Sequence, residues 1–346
     1  MSRGIGCRYG SHRVIEPKGI LPQPATRLDN SMEIFDNEML IDVATLNIDS
    51  ASYTQVRKAC DGDRARMEEM ILGIVAERGK MQNPVTGSGG MLVGTVRDIG
   101  PAFPARKVAV GDRVATLVSL SLTPLCIDKI KKLDPASDQV DIEGQAILFE
   151  SGIYAHIPED IPEKLALAAL DVAGAPAQVD RLVREGDTVC IIGGGGKSGV
   201  LCCYQAMKNV GPYGKVIVVE YSKDNAKRIE ELGLATHVII ADTTDAIDVY
   251  RKVIAITGER GCDVTINNVN VPNTEMTSIL ITKGQGLIYF FSMATSFTKA
   301  ALGAEGVGKD IELIVGNGYA KGHSELTLDI LRESKEIRAL FEKVYV

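Results

Sequence analysis

From about Thr188 onward, short runs of β-branched residues alternate with amphipathic segments. This alternation predicts parallel strands joined by helices that cover both faces of one sheet. The runs are TVCIIG (188–193), KVIVVE (215–220), HVIIAD (237–242), CDVTIN (262–267), GLIYFFS (286–292) and DIELIVG (310–316). Six such strands complete a doubly wound α/β fold. Between the second and third, SKDNAKRIEELGL offers Ser222 as an N-cap, a charged outer face and Gly233 as a stop.

The first half reads differently. EMLIDVATLNI (38–48), GMLVGTVRDIG (90–100) and VGDRVATLVSL (110–120) are strand-like pieces punctuated by Gly and Pro, the pattern of an irregular β-rich domain. One helical stretch interrupts it, with Met67, Met70, Ile71, Ile74 and Val75 at core-facing spacing. A connecting helix is expected over 157–183. The pattern divides the chain into a β-rich domain over 1–156 with a helical insertion at about 55–80, a doubly wound domain over 157–317, and a helical C-terminal segment over 318–346. No internal repeat or low-complexity tract is present.

Composition narrows the function classes. The 346 residues exceed what one core usually covers, and 45% hydrophobic with 24% charged residues is an ordinary globular mixture. The net charge of −7, with no Lys/Arg cluster interleaved with aromatics, argues against nucleic acid as a partner. No run is long and apolar enough to span a bilayer, and MSRGIGCRYGSHRV lacks the apolar block of a signal peptide, so a cytoplasmic enzyme is expected. The cysteines at 7, 60, 126, 190, 202, 203 and 262 form no CxxC pair and read as free thiols.

The stretch IIGGGGKSGV (191–200) carries the chemistry. A P-loop needs a glycine five residues before Gly196, and Ile191 stands there. Read as G-x-G-x-x-G, however, Gly194, Gly196 and Gly199 fit between a strand and a helix. In this reading Gly194 permits the tight turn, Gly196 lets the backbone approach a pyrophosphate, and Gly199 allows close helix–strand packing. Lys197 adds a cation, with Ser198 beside it. Glu220 ends the second strand where an acid accepts from both ribose hydroxyls, followed by Tyr221. Glu220 favours NAD over NADP, and Lys223 leaves NADP as a weaker alternative. Asn268 and Val269 after the fourth strand, and Ser292 and Met293 after the fifth, are expected to line the nicotinamide ribose and carboxamide.

NPVTGSGGMLVGTVRDIG, VGDRVATL and LALAALDVAGAPAQVDRLVREGDTVCIIGGGGKSG together resemble the medium-chain dehydrogenase/reductase superfamily, which implies a GroES-like N-terminal domain before a Rossmann domain. Its zinc-dependent members place a His-Glu pair where this chain has Ser88 and Gly89, and a cysteine near NIDSAS (47–52), which has none. Their structural zinc needs four clustered cysteines, and Cys126 stands alone in its region. The chain therefore resembles the zinc-independent branch, with no metal expected. The stretches YGSHRVIEPKGILPQPA, TLVSLSLTPL, VDIEGQAILFESGIY, VNVPNTEM and FFSMATSFTKAALGAEGVGKD are similar to the L-erythro-3,5-diaminohexanoate dehydrogenase family. The resemblance implies NAD-dependent oxidative deamination of a small diamino acid in lysine fermentation. The alternative within the same fold is a zinc-independent alcohol or quinone reductase; outside it, an NAD-binding module without turnover.

The resemblance also points to the loops where a substrate site lies, and the acids and hydroxyls there are Asp49, Ser50, Ser88, Glu150 and Asp171. Asp171 interrupts the apolar run LALAALDVAGA and is either a buried general base or a helix-end hydrogen-bonding residue. Asp49 either serves the site or fixes its turn. His323 is a proton shuttle or an ordinary residue before the last helix, and His12 is the weaker histidine. The Gly-rich segment 298–310 is either a mobile flap, bringing Lys299 or Lys309 to the substrate carboxylate, or a plain surface loop. Superfamily analogy implies a homo-oligomer, a dimer or tetramer, paired through residues 310–316.

Overall fold

The computed structural model describes residues 3–104, 108–135, 138–316 and 318–346. The chain divides into two compact units, Met1–Asp171 with Glu342–Val346, and Val172–Phe341. The boundary expected at 156 thus stands at 171. The helix Glu163–Leu170 is buried at every position from Leu165 to Leu170 and packs on a strand of the first unit.

That unit contains β1 (Val14–Glu16), β2 (Arg27–Leu28), β3 (Glu38–Ile48), α1 (Ser50–Ala59), α2 (Arg64–Arg78), β4 (Gly90–Ile99), β5 (Arg113–Thr116), β6 (Leu125–Leu133), β7 (Gln139–Phe149), β8 (Tyr154–His156) and α3 (Glu163–Leu170). Its large sheet runs β6-β7-β3-β4-β5-β8, with every neighbour antiparallel. Along β3, Met39, Ile41 and Val43 enter the core; the register then shifts between Val43 and Thr45, and Leu46 and Ile48 continue the inward row. Thr45 and Asn47 accordingly stand on the opposite face.

The expected insertion is two helices rather than one. Asp61 and Gly62 adopt φ of 54° and 73°, left-handed values that stop α1, and Asp63 restarts the chain by accepting from Arg66 N–H. Met67, Ile71, Ile74 and Val75 are buried as their spacing predicts.

Buried charged residues of the first unit make structural polar contacts. Arg13 is fully buried and donates Nε and Nη2 to Glu38 at 2.7 Å each, while His12 Nε2 meets the same carboxylate at 2.9 Å. Burial pushes the Glu38 carboxyl up, but the bonds from His12, Arg13 and Phe35 N–H and the Arg13 charge outweigh it and bring the pKa to about 2. His12 is committed to this knot.

The second unit contains α4 (Gly174–Leu182), β9 (Thr188–Ile192), α5 (Lys197–Val210), β10 (Lys215–Glu220), α6 (Lys223–Glu231), β11 (His237–Ile240), α7 (Ala246–Thr257), β12 (Cys262–Asn267), α8 (Glu275–Ile281), β13 (Thr282–Phe290), α9 (Phe297–Gly306), β14 (Glu312–Val315), α10 (His323–Glu333) and α11 (Lys335–Val344) up to Phe341. Its six strands are all parallel in the order β11-β10-β9-β12-β13-β14, the doubly wound order with its switch point between β9 and β12. Segment 298–310 falls largely within α9. Lys309 donates to the carbonyls of Ile279, Leu280 and Thr282 at the end of α8, so it is no substrate ligand.

Candidate active site

The glycine turn sits at the carboxyl end of β9. Gly193 takes φ of +78°, so the left-handed bend belongs to Gly193 and not to Gly194, which corrects the role read from the motif. A Cβ on Gly194 would meet Val218 Cγ1 at 2.6 Å, and one on Gly199 would meet Gly193 O at 2.1 Å; both positions are closed by packing. Gly196 has nothing within 4 Å of its Cβ position and is exposed. No side chain caps α5, which leaves its positive end and the open space over Gly196 to an anion.

Glu220 completes this cradle. Its Oε2 accepts from Gly195 N–H at 2.9 Å, and Oε1 accepts from Tyr221 and Ser222 N–H at 3.0 and 3.1 Å. Three of about four lone-pair positions are used, so Oε2 retains room for one ribose hydroxyl. Tyr221 lies beside it, largely exposed.

The loops after β12 and β13 converge on the same sheet end. Asn267 Nδ2 donates to Thr274 and Ser278, its Oδ1 accepts from Val269 N–H, and its carbonyl accepts from Phe291 and Ser292 N–H. Val269 packs against Gly193. Asn268 N–H donates to Ile192 O, and its shielded side-chain amide has the buried Cys202 thiol beside it but no well-formed hydrogen bond. The open glycine, the uncapped helix and this under-satisfied amide fit a bound dinucleotide. Cys202 and Cys203 lie on α5, fully buried; burial pushes the Cys202 thiol up to about 12 and Cys203 upward too, which keeps both as packed thiols.

The first unit gathers a second set of groups. Asp49 caps α1, its Oδ1 accepting from Ser52 N–H at 3.0 Å, and its own N–H donates to Gly89 O. Ser52, Thr86 and Ser88 close a triangle of hydroxyls, at 2.6, 2.9 and 3.1 Å. Asn83 shapes this loop: its Oδ1 accepts from Val85 and Thr86 N–H, and its Nδ2 donates to Gln55. The residues of the triangle missed by sequence reading were signalled only weakly, by the turn dipeptide Asn83-Pro84 and by Ser52 in NIDSAS.

One expected site residue is placed elsewhere. Glu150 follows β7 at the end of the sheet where β3 begins, with Asn37 and Arg8 as partners. Asp49 lies past the far end of β3, roughly 35 Å along the strand at about 3.3 Å per residue. Glu150 therefore cannot share a site with Asp49 and Ser88. Ser50 spends its hydroxyl on Asp138 at 2.8 Å and is exposed. Asp171 caps the C-terminus of α3, half-buried, its N–H donating to Leu167 O. His323 opens α10, buried against Tyr319, and its burial lowers its pKa. Lys299 donates to Asn273.

A family model for the L-erythro-3,5-diaminohexanoate dehydrogenase N-terminal domain matches residues 12–158. Curated L-erythro-3,5-diaminohexanoate dehydrogenases of Acetoanaerobium sticklandii and Fusobacterium nucleatum subsp. nucleatum are each 57% identical over 342 residues, covering 99% of both chains. The chain belongs to the L-erythro-3,5-diaminohexanoate dehydrogenase family. Its fold is shared with more distant solved structures. CurK enoyl reductase aligns at TM-score 0.57 and 16% identity, over 89% of this chain and 87% of that one. An alcohol dehydrogenase of Thermotoga maritima aligns at 0.56 and 15%, over 88% and 84%. A mycobacterial quinone oxidoreductase aligns at 0.52 and 18%, over 94% and 84%. The GroES-like and Rossmann architecture expected for the family is present. Among the described residues, no three His, Cys, Asp or Glu side chains converge to hold a metal, and no helix is long and apolar enough to cross a membrane.

Proposed function

We propose that this chain oxidatively deaminates L-erythro-3,5-diaminohexanoate with NAD and water, giving 5-amino-3-oxohexanoate, ammonia and NADH, a step of lysine fermentation. The observation that carries the reading is 57% identity to dehydrogenases of that name over almost the whole chain. NAD, when bound, accepts hydride from C3 of the substrate. Gly196, the N-terminus of α5 and Glu220 hold its pyrophosphate and ribose, and Asn268, Val269, Ser292 and Met293 lie toward its nicotinamide end.

Hydride leaves C3 only when the C3 amine is neutral and its lone pair can form the imine. A general base must first take a proton, and Asp171 fills that role. Water then adds to the imine carbon, its proton passes to nitrogen, and the C–N bond breaks to release ammonia. Asp49 and Ser88 line the substrate site in this reading. The enzyme works in the cytoplasm, which its seven free cysteines support. It assembles as a homo-oligomer through β14, a reading supported by that strand's place at the sheet edge with Glu312 and Val315 exposed.

The coenzyme preference tests this account of the nucleotide site. A 2′-phosphate would face the Glu220 carboxylate, and like-charge juxtaposition of this kind lowers kcat/KM with NADP roughly 100-fold below that with NAD. Steady-state kinetics with the diamino acid and each coenzyme reads the ratio directly. Equal efficiency with the two coenzymes would remove Glu220 from the ribose site.

A further inference from the structure

The two inward residues at the end of β3, Leu46 and Ile48, alternate with Asn47 and the extended Asp49, which therefore share the other face. Asn47 is 1% exposed, and neither its Nδ2 nor its Oδ1 has a partner. Asp49 Oδ1 is used by Ser52 N–H, but Oδ2 is shielded from solvent and also unpartnered. Among the described residues no lysine or arginine pairs with Asp49; the nearby row of Thr45, Asp141 and Lys164 is satisfied within itself, at 2.9 and 2.8 Å. Buried polar atoms are almost always hydrogen-bonded, and a shielded carboxylate oxygen needs a donor, of which a cation is the strongest.

These orphans describe a ligand. Asp49 Oδ2 and Asn47 Oδ1 ask for N–H donors, which the carboxylate binds best when they carry positive charge, and Asn47 Nδ2 asks for an acceptor. We propose that Asn47 and Asp49 form the subsite that holds the non-reacting C5 ammonium of the diamino acid, with Asn47 Nδ2 donating to an oxygen of the same zwitterion. The proposal rests on the deamination reading above. The C3 nitrogen is the wrong occupant, because it must give its proton to the general base, the role given to Asp171, whereas Asp49 is held in place as the cap of α1. The C5 ammonium stays charged throughout and suits a fixed anion. The subsite thus separates a diamino acid from a β-amino acid lacking the second amine.

Calorimetry on the full-length, NADH-loaded enzyme tests it, with 3,5-diaminohexanoate and 3-aminohexanoate as the two ligands. Asp49→Asn retains the helix cap, since Asn caps as well as Asp, and is expected to weaken binding of the diamino acid about 100-fold while the 3-aminohexanoate Kd stays unchanged. Asn47→Leu is expected to weaken the diamino acid about 10-fold without lowering Tm, because two orphaned atoms give way to an apolar group of similar size. A purely structural Asn47 would instead lose Tm and leave both Kd values alone. Parallel loss of both ligands in Asp49→Asn, or loss of neither, overturns the subsite. Wild-type turnover decides the reaction separately: an enzyme that binds the diamino acid in preference to the monoamine but makes no NADH contradicts the deamination and leaves the subsite standing.

Discussion

Gly199→Ala is expected to raise the Kd for NAD by at least about 100-fold, the loss that displacement of a binding group by about 1 Å can produce. The added methyl would stand 2.1 Å from Gly193 O and 2.7 Å from Gly194 C and Cα. All three are backbone atoms, so no side chain can swing aside. Either α5 retreats or the turn unfolds, and both move the helix N-terminus away from the pyrophosphate. Gly196→Ala makes the control, because its Cβ meets nothing within 4 Å. That variant keeps the wild-type Tm yet binds NAD more weakly, since the methyl occupies space the phosphates need. Titration calorimetry with a thermal melt of each variant separates the two effects. Normal NAD affinity in Gly199→Ala would show that the coenzyme lies elsewhere.

Asp171→Asn is expected to lower kcat by about 10²–10⁴, the contribution of a positioned general base, with NAD affinity unchanged. Asn matches the carboxylate in shape and can stay at the end of α3, but it cannot take a proton from the C3 ammonium. The pH profile supplies the second readout: the wild-type acid limb reports ionisation of the base, and the variant loses it. If Asp171 only terminates the helix, the variant loses Tm while kcat and the acid limb remain. Single-turnover kinetics with saturating NAD distinguishes these outcomes.

Much of the fold is legible in the sequence. β3, β10 and β12 begin and end where their apolar runs do, because each is buried on both faces over most of its length and no turn residue interrupts it. α6 opens at Ser222, whose hydroxyl accepts from Asn225 N–H, as the capping pattern predicts. The connecting helix reads as one because its apolar residues are continuous, yet it breaks at Asp171 into α3 and α4. Segment 298–310 looks loop-like from its glycines, but a Cβ on Gly303 would meet Ile279 Cδ1 at 2.9 Å, so this glycine serves close packing of α9 on α8.

The site is less legible for a different reason. The proposed nucleotide cradle follows from local order along the chain, strand, turn, helix and acid, and the structure brings these residues to one sheet end. The substrate-side groups depend on strand direction and face, which spacing does not encode. Glu150 and Asp49 read as equivalent loop acids until β3 and β7 place them at opposite ends of the sheet. Asn47 reads as ordinary alternation in TLNI until the structure shows its buried amide without a partner.

The most direct test of the central claim is to incubate the purified enzyme with L-erythro-3,5-diaminohexanoate and NAD and to measure NADH and ammonia in the same sample. Oxidative deamination predicts that they appear mole for mole. NADH formation without ammonia would contradict it.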